Sequence, residues 1–204
     1  MIARATSRLA LSSRDRCNTA RVLRVRRPAP SELASLAERV TAEPFTYTAV
    51  GATAQTDWPS GYRHDRESIV VGNADEFDAA VARLRAWKPH VGAGVLHAAT
   101  GDIAAGTTVA LAAPVAGGWV LATCRIVYVE ESADSFAWAY GTLPLHPEKG
   151  EERFEVRRDD GRTTFAISAF SRPRHWLARA TSPLARRLQV KATHAYLAAM
   201  RPHD

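Results

Sequence analysis

Four side chains in the second half of this sequence have the chemistry of proton transfer to or from a bound molecule. They are Tyr140 at the end of a β pattern, His146 and Glu148 in the polar stretch after it, and Glu152 shortly beyond. Phenol, imidazole and carboxyl groups are common general acids and bases. Glu152 shares strand parity with Phe154 and Val156, so we predict that it faces the interior. The same residues also fit a solvated, salt-bridged loop, and the sequence leaves both interpretations open.

A second set of residues, mostly aromatic, has the character of a lining for a hydrophobic ligand. The set is Tyr62, His64, Trp119, Tyr128, Trp138, Phe154, Phe165 and Arg172. Aromatic side chains also serve as core, and an inward sheet face can be partly core and partly cavity. His64 also fits a structural hydrogen-bonding role at a polar rim, and Arg172 also fits a pair with a neighbouring carboxylate.

The sequence predicts neither a metal site nor a nucleotide site, and therefore no cofactor. The histidines and the two cysteines, Cys17 and Cys124, lack the spacing of metal ligands. Gly92 and Gly94 lie in a strand pattern without the helix that a phosphate-binding loop needs. Cys124 fits a small buried side chain. Two cysteines without a disulfide framework predict a reducing, cytoplasmic compartment.

The positive charge of the chain is concentrated at its start. The net charge is +6, but residues 1–30 hold eight arginines against the single acid Asp15. The folded part is therefore nearly neutral, which argues against nucleic acid as its partner because phosphate binding needs a basic surface. No run of about 18 apolar residues is present, so no membrane-spanning segment is predicted. Residues 1–27 are predicted to be a basic, disordered extension, with translation from near Val22 or an organelle transit peptide as alternatives.

Hydrophobic periodicity predicts one domain over residues 28–201. A helix is expected over about 31–40, a β-rich segment at 45–50, a strand at 63–71, and a helix from Asn73 that Pro89 ends. Strands are expected at 91–98, 107–114, 119–131 and 135–143, followed by a hairpin turning at Asp160-Gly161. A final amphipathic helix is expected over about 183–200, with Leu184, Leu188, Ala192, Ala195 and Ala199 on its apolar stripe.

This order of elements predicts the α+β class. We expect a curved antiparallel sheet of about six to seven strands that grips the long C-terminal helix, a helix-grip arrangement with a cavity between sheet and helix.

Several segments resemble a known family in the same order. They include Gly-Tyr-Arg-His-Asp-Arg at 61–66, Trp-Lys-Pro-His-Val-Gly-Ala-Gly at 87–94 and the segments 124–128, 140–144, 146–148, 150–152 and 169–173. The chain resembles uncharacterised protein family 0548, a family of bacteria and plants, over about residues 22–201. The resemblance implies a layout similar to the START-like and pollen-allergen-like superfamily, whose members mostly hold hydrophobic ligands and sometimes act as cyclases or hydrolases.

Three functions follow as hypotheses. The first is binding of a small hydrophobic or amphiphilic ligand in the internal cavity. The second is an enzyme of the cyclase, dehydratase or isomerase type that uses His146, Glu148 or Glu152 with Tyr140 in the same cavity. The third is an interaction or membrane-surface protein that acts through the arginine-rich extension.

Overall fold

A computed structural model describes residues 22–174 and 182–202, without the side chains of 182–189. Residues 1–21, most of the predicted basic extension, lie outside the described part, as do His175 and the side chains of Leu184 and Leu188. The described residues contain one eight-stranded antiparallel sheet. Its strands are β1 (Leu23–Arg24), β2 (Arg63–Asn73), β3 (Leu96–Ala99), β4 (Thr108–Val115), β5 (Gly118–Glu131), β6 (Ser135–Thr142), β7 (Glu148–Asp159) and β8 (Arg162–Pro173).

The strands lie in the order β2-β8-β7-β6-β5-β4-β3, and β1 pairs with β5 beside this path. Consecutive strands from β3 to β8 are therefore neighbours, while β2 joins the sheet at β8. Register shifts between Val70 and Gly72 and between Ile126 and Tyr128 interrupt two of the long strands. An extra residue of this kind bends a strand and increases its twist, which helps the sheet to curve.

Four α-helices accompany the sheet in the described part of the chain: α1 (Pro30–Arg39), α2 (Phe77–Arg85), α3 (Lys88–Gly92) and α4 (Ser182–Ala199). The C-terminal helix α4 contacts α3, β8 and β2. We call the sheet face that α2, α3 and α4 cover the concave face, and the opposite face, on which α1 lies, the convex face. The predicted α+β helix-grip fold is confirmed.

The main hydrophobic core fills the concave side. Phe136, Trp138, Phe154 and Phe165 are at most 1% exposed, and Phe77 and Leu84 of α2 pack with them. A second, smaller core joins Leu33 and Ala37 of α1 to Ala110, Ala112 and Leu121 on the convex face. Burial on both sides explains why β4 is buried almost continuously from Thr108 to Ala112.

The hairpin between β7 and β8 follows the prediction closely. Asp160 and Gly161 both have positive φ, at 48° and 74°, and Asp159 pairs with Arg162 across them. This is the two-residue turn that matches strand twist. Because the register is set here, Val156 lies opposite Phe165 and Phe154 opposite Ile167, all on the concave face.

Three local predictions are wrong. Pro89 does not end the helix that begins after Asn73: α2 ends at Arg85, and Pro89 lies in the first turn of α3, a position that proline favours. The strand predicted at 91–98 is therefore reduced to Leu96–Ala99. The β-rich segment 45–50 forms no strand. Instead, Tyr47 anchors that segment by bonding to Glu151.

Candidate functional site

A row of four side-chain positions crosses the concave face at its polar end. Asp65 of β2 lies opposite Ala169, Ala169 opposite Glu152, and Glu152 opposite Tyr140. The two carboxylates are thus two strand spacings apart, about 10 Å, with a methyl group between them. Arg63 pairs with Asp65 at 2.8 Å and also donates to Ser171 at 3.1 Å.

A chain of hydrogen bonds leads from this row into the core. The Tyr140 hydroxyl donates to Glu152 Oε2 at 2.7 Å, and His90 Nε2 lies 3.3 Å from the same hydroxyl. Because the phenol proton is given to the carboxylate, the phenol oxygen accepts from His90 Nε2–H. Glu152 is partly exposed, Tyr140 is buried, and His90 is completely buried. The chain therefore connects the partly exposed residue Glu152 to a completely buried imidazole.

The environment favours the neutral form of each group in this chain. Burial raises the pKa of Glu152 to about 7, and the nearby Glu148 and Asp65 add to the rise, against the hydrogen bond from Tyr140, which lowers it. Burial lowers the pKa of His90 to about 3, so its imidazole is uncharged at neutral pH. Burial and the Glu152 carboxylate also raise the pKa of Tyr140 well above its ordinary value.

Polarity changes stepwise along the concave face. One end carries Arg63, Ser171 and Gly150 in register, and the next row carries the Asp65–Tyr140 set. The next row holds Ile167, Phe154 and Trp138, with the exposed Glu67 at its β2 edge, and the row after it holds Ile69, Phe165, Val156 and Phe136. Within these rows, the small residues are Ala169, Ser171 and Gly150, and all three are at the polar end. The face is therefore amphiphilic, with its least bulky part beside Glu152.

Two polar atoms of the aromatic interior have no hydrogen-bond partner within the described structure. They are His90 Nδ1 and Trp138 Nε1, and both residues are 0% exposed. Their rings stack with centroids 6.1 Å apart. With Nε2 protonated, His90 Nδ1 is an acceptor, whereas the indole nitrogen is a donor. The interior thus offers one free acceptor and one free donor, and leaving such groups unpaired is costly.

His146 forms its hydrogen bonds within its own loop, with the backbone of Glu148. His146 Nδ1 accepts from the backbone N–H of Glu148 at 3.0 Å, which closes a local turn before β7. Burial lowers the pKa of His146 to about 4. The negative charge of Glu148 contributes to the raised pKa of Glu152. Of the four predicted acid–base residues, the structure joins Tyr140 and Glu152 directly, places Glu148 near them, and gives His146 a partner within its own loop.

Only three of the eight predicted ligand-binding residues face the concave side. Trp138, Phe154 and Phe165 belong to the main core. Tyr62, His64, Trp119, Tyr128 and Arg172 lie on the convex face, so the structure does not bring the eight residues together. Tyr62 packs edge-on against Phe170, and Arg172 lies over the Tyr62 ring at 4.5 Å. His64 Nε2 lies 3.0 Å from the Pro59 carbonyl oxygen, and Trp119 packs with the α1 core.

Tyr128 changes face because of the irregularity in β5. Ile126 pairs with Tyr140 and Tyr128 pairs with Ala139, so two residues of β5 advance while β6 advances by one. Ile126 remains in the concave core, and the Tyr128 hydroxyl instead contacts Thr53 Oγ1 at 2.7 Å and Arg153 at 3.2 Å on the convex side. Simple alternation from Trp119 onward cannot anticipate a bulge.

The sequence alone did not indicate the roles of Glu151 and His90. Glu151 is 2% exposed on the convex face, where its carboxylate accepts from the Tyr47 hydroxyl at 2.6 Å, from the Gly51 and Thr53 amides at 2.7 and 2.9 Å, and from the Thr53 hydroxyl. The sequence does contain a signal for this position. Glu151 and Glu152 are neighbours in a strand, so their side chains point to opposite faces of the sheet. His90 lies in α3 and is 0% exposed, and burial lowers its pKa to about 3, so its ring is uncharged.

The described residues contain no group of three or more His, Cys, Asp or Glu side chains that could hold a metal ion. Cys124 is a free, buried thiol whose pKa is raised by burial. Among the described helices, none is long and apolar enough to cross a membrane.

A curved antiparallel sheet closed by a C-terminal helix, with a polar row at one end of its concave face, defines a helix-grip protein. The chain belongs to the family described as domain of unknown function DUF1990, whose model matches residues 46–199. It is similar to a UPF0548 protein of Dictyostelium discoideum, with 33% identity over 65% of this chain and 68% of that protein. It is also similar to a UPF0548 protein of Deinococcus radiodurans, with 29% identity over 84% of this chain and 93% of that protein. The predicted family is therefore confirmed.

Solved structures show likeness of fold alone. The hypothetical protein jhp0584 from Helicobacter pylori superposes with a TM-score of 0.51 at 12% identity, covering 72% of this chain and 94% of that chain. A START superfamily protein from Mycobacterium smegmatis has a TM-score of 0.43 at 14% identity, covering 69% of this chain and 97% of that chain.

Proposed function

We propose that this protein binds a small amphiphilic molecule on the concave side of its sheet, with the ligand's polar group at Glu152 and Tyr140. The graded concave face carries this proposal. A partly exposed carboxyl group beside Ala169, Ser171 and Gly150 leaves room at one end, and the aromatic rows supply apolar surface at the other. Sites of this kind combine an apolar lining with a few convergent polar groups.

The protonation state of Glu152 suits binding through hydrogen bonds. With a pKa of about 7, the carboxyl group is present in both forms at neutral pH, and it can donate to or accept from a ligand hydroxyl, carbonyl or amine. The unpaired His90 Nδ1 and Trp138 Nε1 provide further polar contacts within the aromatic interior. Both features support a ligand that is mostly apolar and carries few polar atoms.

The experiment is native mass spectrometry of the protein purified gently from its own host. A bound ligand should appear as a reproducible extra mass that denaturation removes. Ala169→Phe, which places a large side chain between Asp65 and Glu152, should abolish the extra mass. Ala166→Phe is the matched control because Ala166 lies on the same strand and points to the convex face. A wild-type protein without bound mass, or equal retention in both variants, would contradict the proposal.

A second candidate function is catalysis at the same place, of the cyclase, dehydratase or isomerase type. The hydrogen bond of 2.7 Å between Tyr140 and Glu152 favours it, because a carboxyl group with a pKa near the working pH is an effective general acid or base. Once the ligand is identified, Glu152→Gln should keep affinity within a few-fold in either case. If the protein is an enzyme, Glu152→Gln should also reduce turnover by about 10²-fold or more.

A further inference from the structure

Two adjoining hollows lie away from the Glu152 site, one on the convex side and the other at the β3 edge of the sheet. One has a volume of about 1260 Å³ and lies between the segment 24–29, helix α1 and the residues Leu121, Pro144 and Leu145. The other has a volume of about 880 Å³ and lies between the start of α1, the segment 94–97 and the side chains of Pro114 and Trp119. Arg27, Pro28, Ala29 and Leu33 line both hollows, so the two are neighbours.

The first hollow has a basic rim above an apolar floor. Arg24, Arg26, Arg27 and Arg39 surround it, and no ion pair joins any of them to an acidic group of the described residues. Two acids, Glu32 and Glu43, also line it, so four arginines face two carboxylates and the lining keeps an excess of positive charge. The floor includes Leu33 and Leu121, both at most 5% exposed. Such a hollow favours an anion attached to an apolar group.

The second hollow is mainly apolar. Val95, Leu96, Pro114 and Trp119 line it together with Leu33, and Arg27 lies over the Trp119 ring at 5.8 Å at the boundary with the first hollow. A hydrocarbon chain placed here would leave water, which is the main source of affinity for apolar groups. The two hollows together therefore match a molecule with an anionic head and an apolar chain.

We propose that these hollows form a second binding site, for a single anionic amphiphile of the fatty-acid type. The carboxylate lies among the arginines of the first hollow, and the chain extends past Arg27 and Leu33 into the second. The chain's own residues 1–21 are a poor occupant because they carry five arginines against Asp15, the same sign of charge as the rim. The proposal is independent of the concave site.

Isothermal titration calorimetry of the full-length protein with dodecanoate, below its micelle concentration, tests the site. The double variant Arg26→Gln/Arg39→Gln should weaken binding at least about tenfold because two charge-assisted contacts are lost. The matched control Arg157→Gln/Arg162→Gln removes the same charge from exposed positions of the β7–β8 hairpin and should stay within about twofold of the wild type. Octanoate, four methylenes shorter, should bind at least about tenfold more weakly than dodecanoate.

A second measurement locates the ligand. Fatty acid brominated along its chain should quench part of the tryptophan fluorescence, and the Trp119→Phe variant should lose that part. Equal affinity in wild type and Arg26→Gln/Arg39→Gln, or an equal loss in the control pair, overturns the proposal. The proposal is also overturned if Ala169→Phe abolishes dodecanoate binding while Arg26→Gln/Arg39→Gln retains it. Binding to phosphatidylglycerol vesicles without dodecanoate binding indicates a membrane surface instead. More than tenfold tighter dodecanoate binding after removal of residues 1–21 identifies that segment as the occupant.

Discussion

Glu152 is the residue whose ionisation reports most directly on the concave site. Its pKa is raised to about 7 from an ordinary value of 4.5, mainly by burial. The folded state therefore holds a proton between pH 4.5 and 7 that the unfolded chain releases. It follows that the stability contributed by this proton is complete below pH 4.5 and is lost as pH rises through 7.

The first prediction concerns Glu152→Gln, which keeps the shape and the neutral form. Relative to the wild type, this variant should gain about 2–3 kcal/mol of unfolding free energy between pH 5 and pH 8. Urea unfolding at the two pH values measures this change. Glu67→Gln, at an exposed position of β2, is the control and should show no comparable gain. A difference between wild type and Glu152→Gln that is independent of pH would contradict the raised pKa.

The second prediction separates the hydrogen bonds of the Tyr140 hydroxyl on the concave face from those of the Tyr128 hydroxyl on the convex face. Tyr140→Phe removes the donor to Glu152 and the acceptor for His90, so the protein should lose about 1–2 kcal/mol of stability. Because the Tyr140 hydrogen bond lowers the pKa of Glu152, that pKa should rise further. Carbon-13 NMR titration of the glutamate carboxyl groups follows it directly. Tyr128→Phe, which acts on the convex side, should leave the Glu152 titration unchanged; an equal shift in both variants would refute the assignment.

At the scale of elements, the convex carboxylate of Glu151 holds the segment that precedes β2. The third prediction is that Glu151→Gln lowers stability by about 3 kcal/mol, because an amide group replaces a charged acceptor that is buried among four donors. Hydrogen exchange should show reduced protection of the Gly51 and Thr53 amides. Glu155→Gln on the same strand and face loses only a pair with Arg153 at 3.5 Å and should cost less than about 1 kcal/mol. Unchanged exchange at Gly51 in Glu151→Gln would disprove the anchoring role.

The contact between α3 and the last turn of α4 depends on a glycine. A Cβ at Gly92 would collide with the Ala199 side chain, whereas a Cβ at Gly101 would meet only Thr107 Oγ1 at 3.7 Å. The fourth prediction is that Gly92→Ala destabilises the protein by about 1–3 kcal/mol and loosens α4, while Gly101→Ala is nearly neutral. Thermal unfolding and hydrogen exchange at Leu197 and Met200 measure both effects. Equal stability of the two variants would show that α4 does not depend on this close approach.

Strand alternation and turn chemistry are local, and the sequence predicted what depends on them. The Asp160-Gly161 turn set the register of Phe154 against Ile167, and alternation placed Glu152 on the inner face. Local patterns could not identify Tyr140 as the residue that contacts Glu152, because pairing between strands brings the two together. The bulge that turns Tyr128 outward and the burial of His90 in α3 depend on tertiary packing. The sequence therefore grouped Tyr140 with His146, Glu148 and Glu152 as candidates, but it did not show which of them contact one another.

At the scale of the whole molecule, the boundary between extension and domain lies earlier than residue 28. Leu23 and Arg24 pair with Val120 and Trp119 of β5, and Pro28 is buried. A Cβ at Gly118 would collide with the Arg24 carbonyl oxygen, so the segment lies directly against the sheet. The residues from 22 to 29 therefore form part of the convex surface and separate the two hollows.

The fifth prediction follows from this boundary. A chain that begins at Val22 should unfold at the same urea concentration as the full-length protein, whereas a chain that begins at Pro30 should be less stable by about 1–3 kcal/mol. The longer deletion removes β1, its pairing with β5 and the cover over Leu33 and Trp119, exposing apolar surface that is now buried. Limited proteolysis of the full-length protein should release the basic segment and leave a product that starts near residue 22. Equal stability of both shortened chains would mean that the segment adds nothing to the domain, and destabilisation by removal of residues 1–21 alone would assign those residues a structural role.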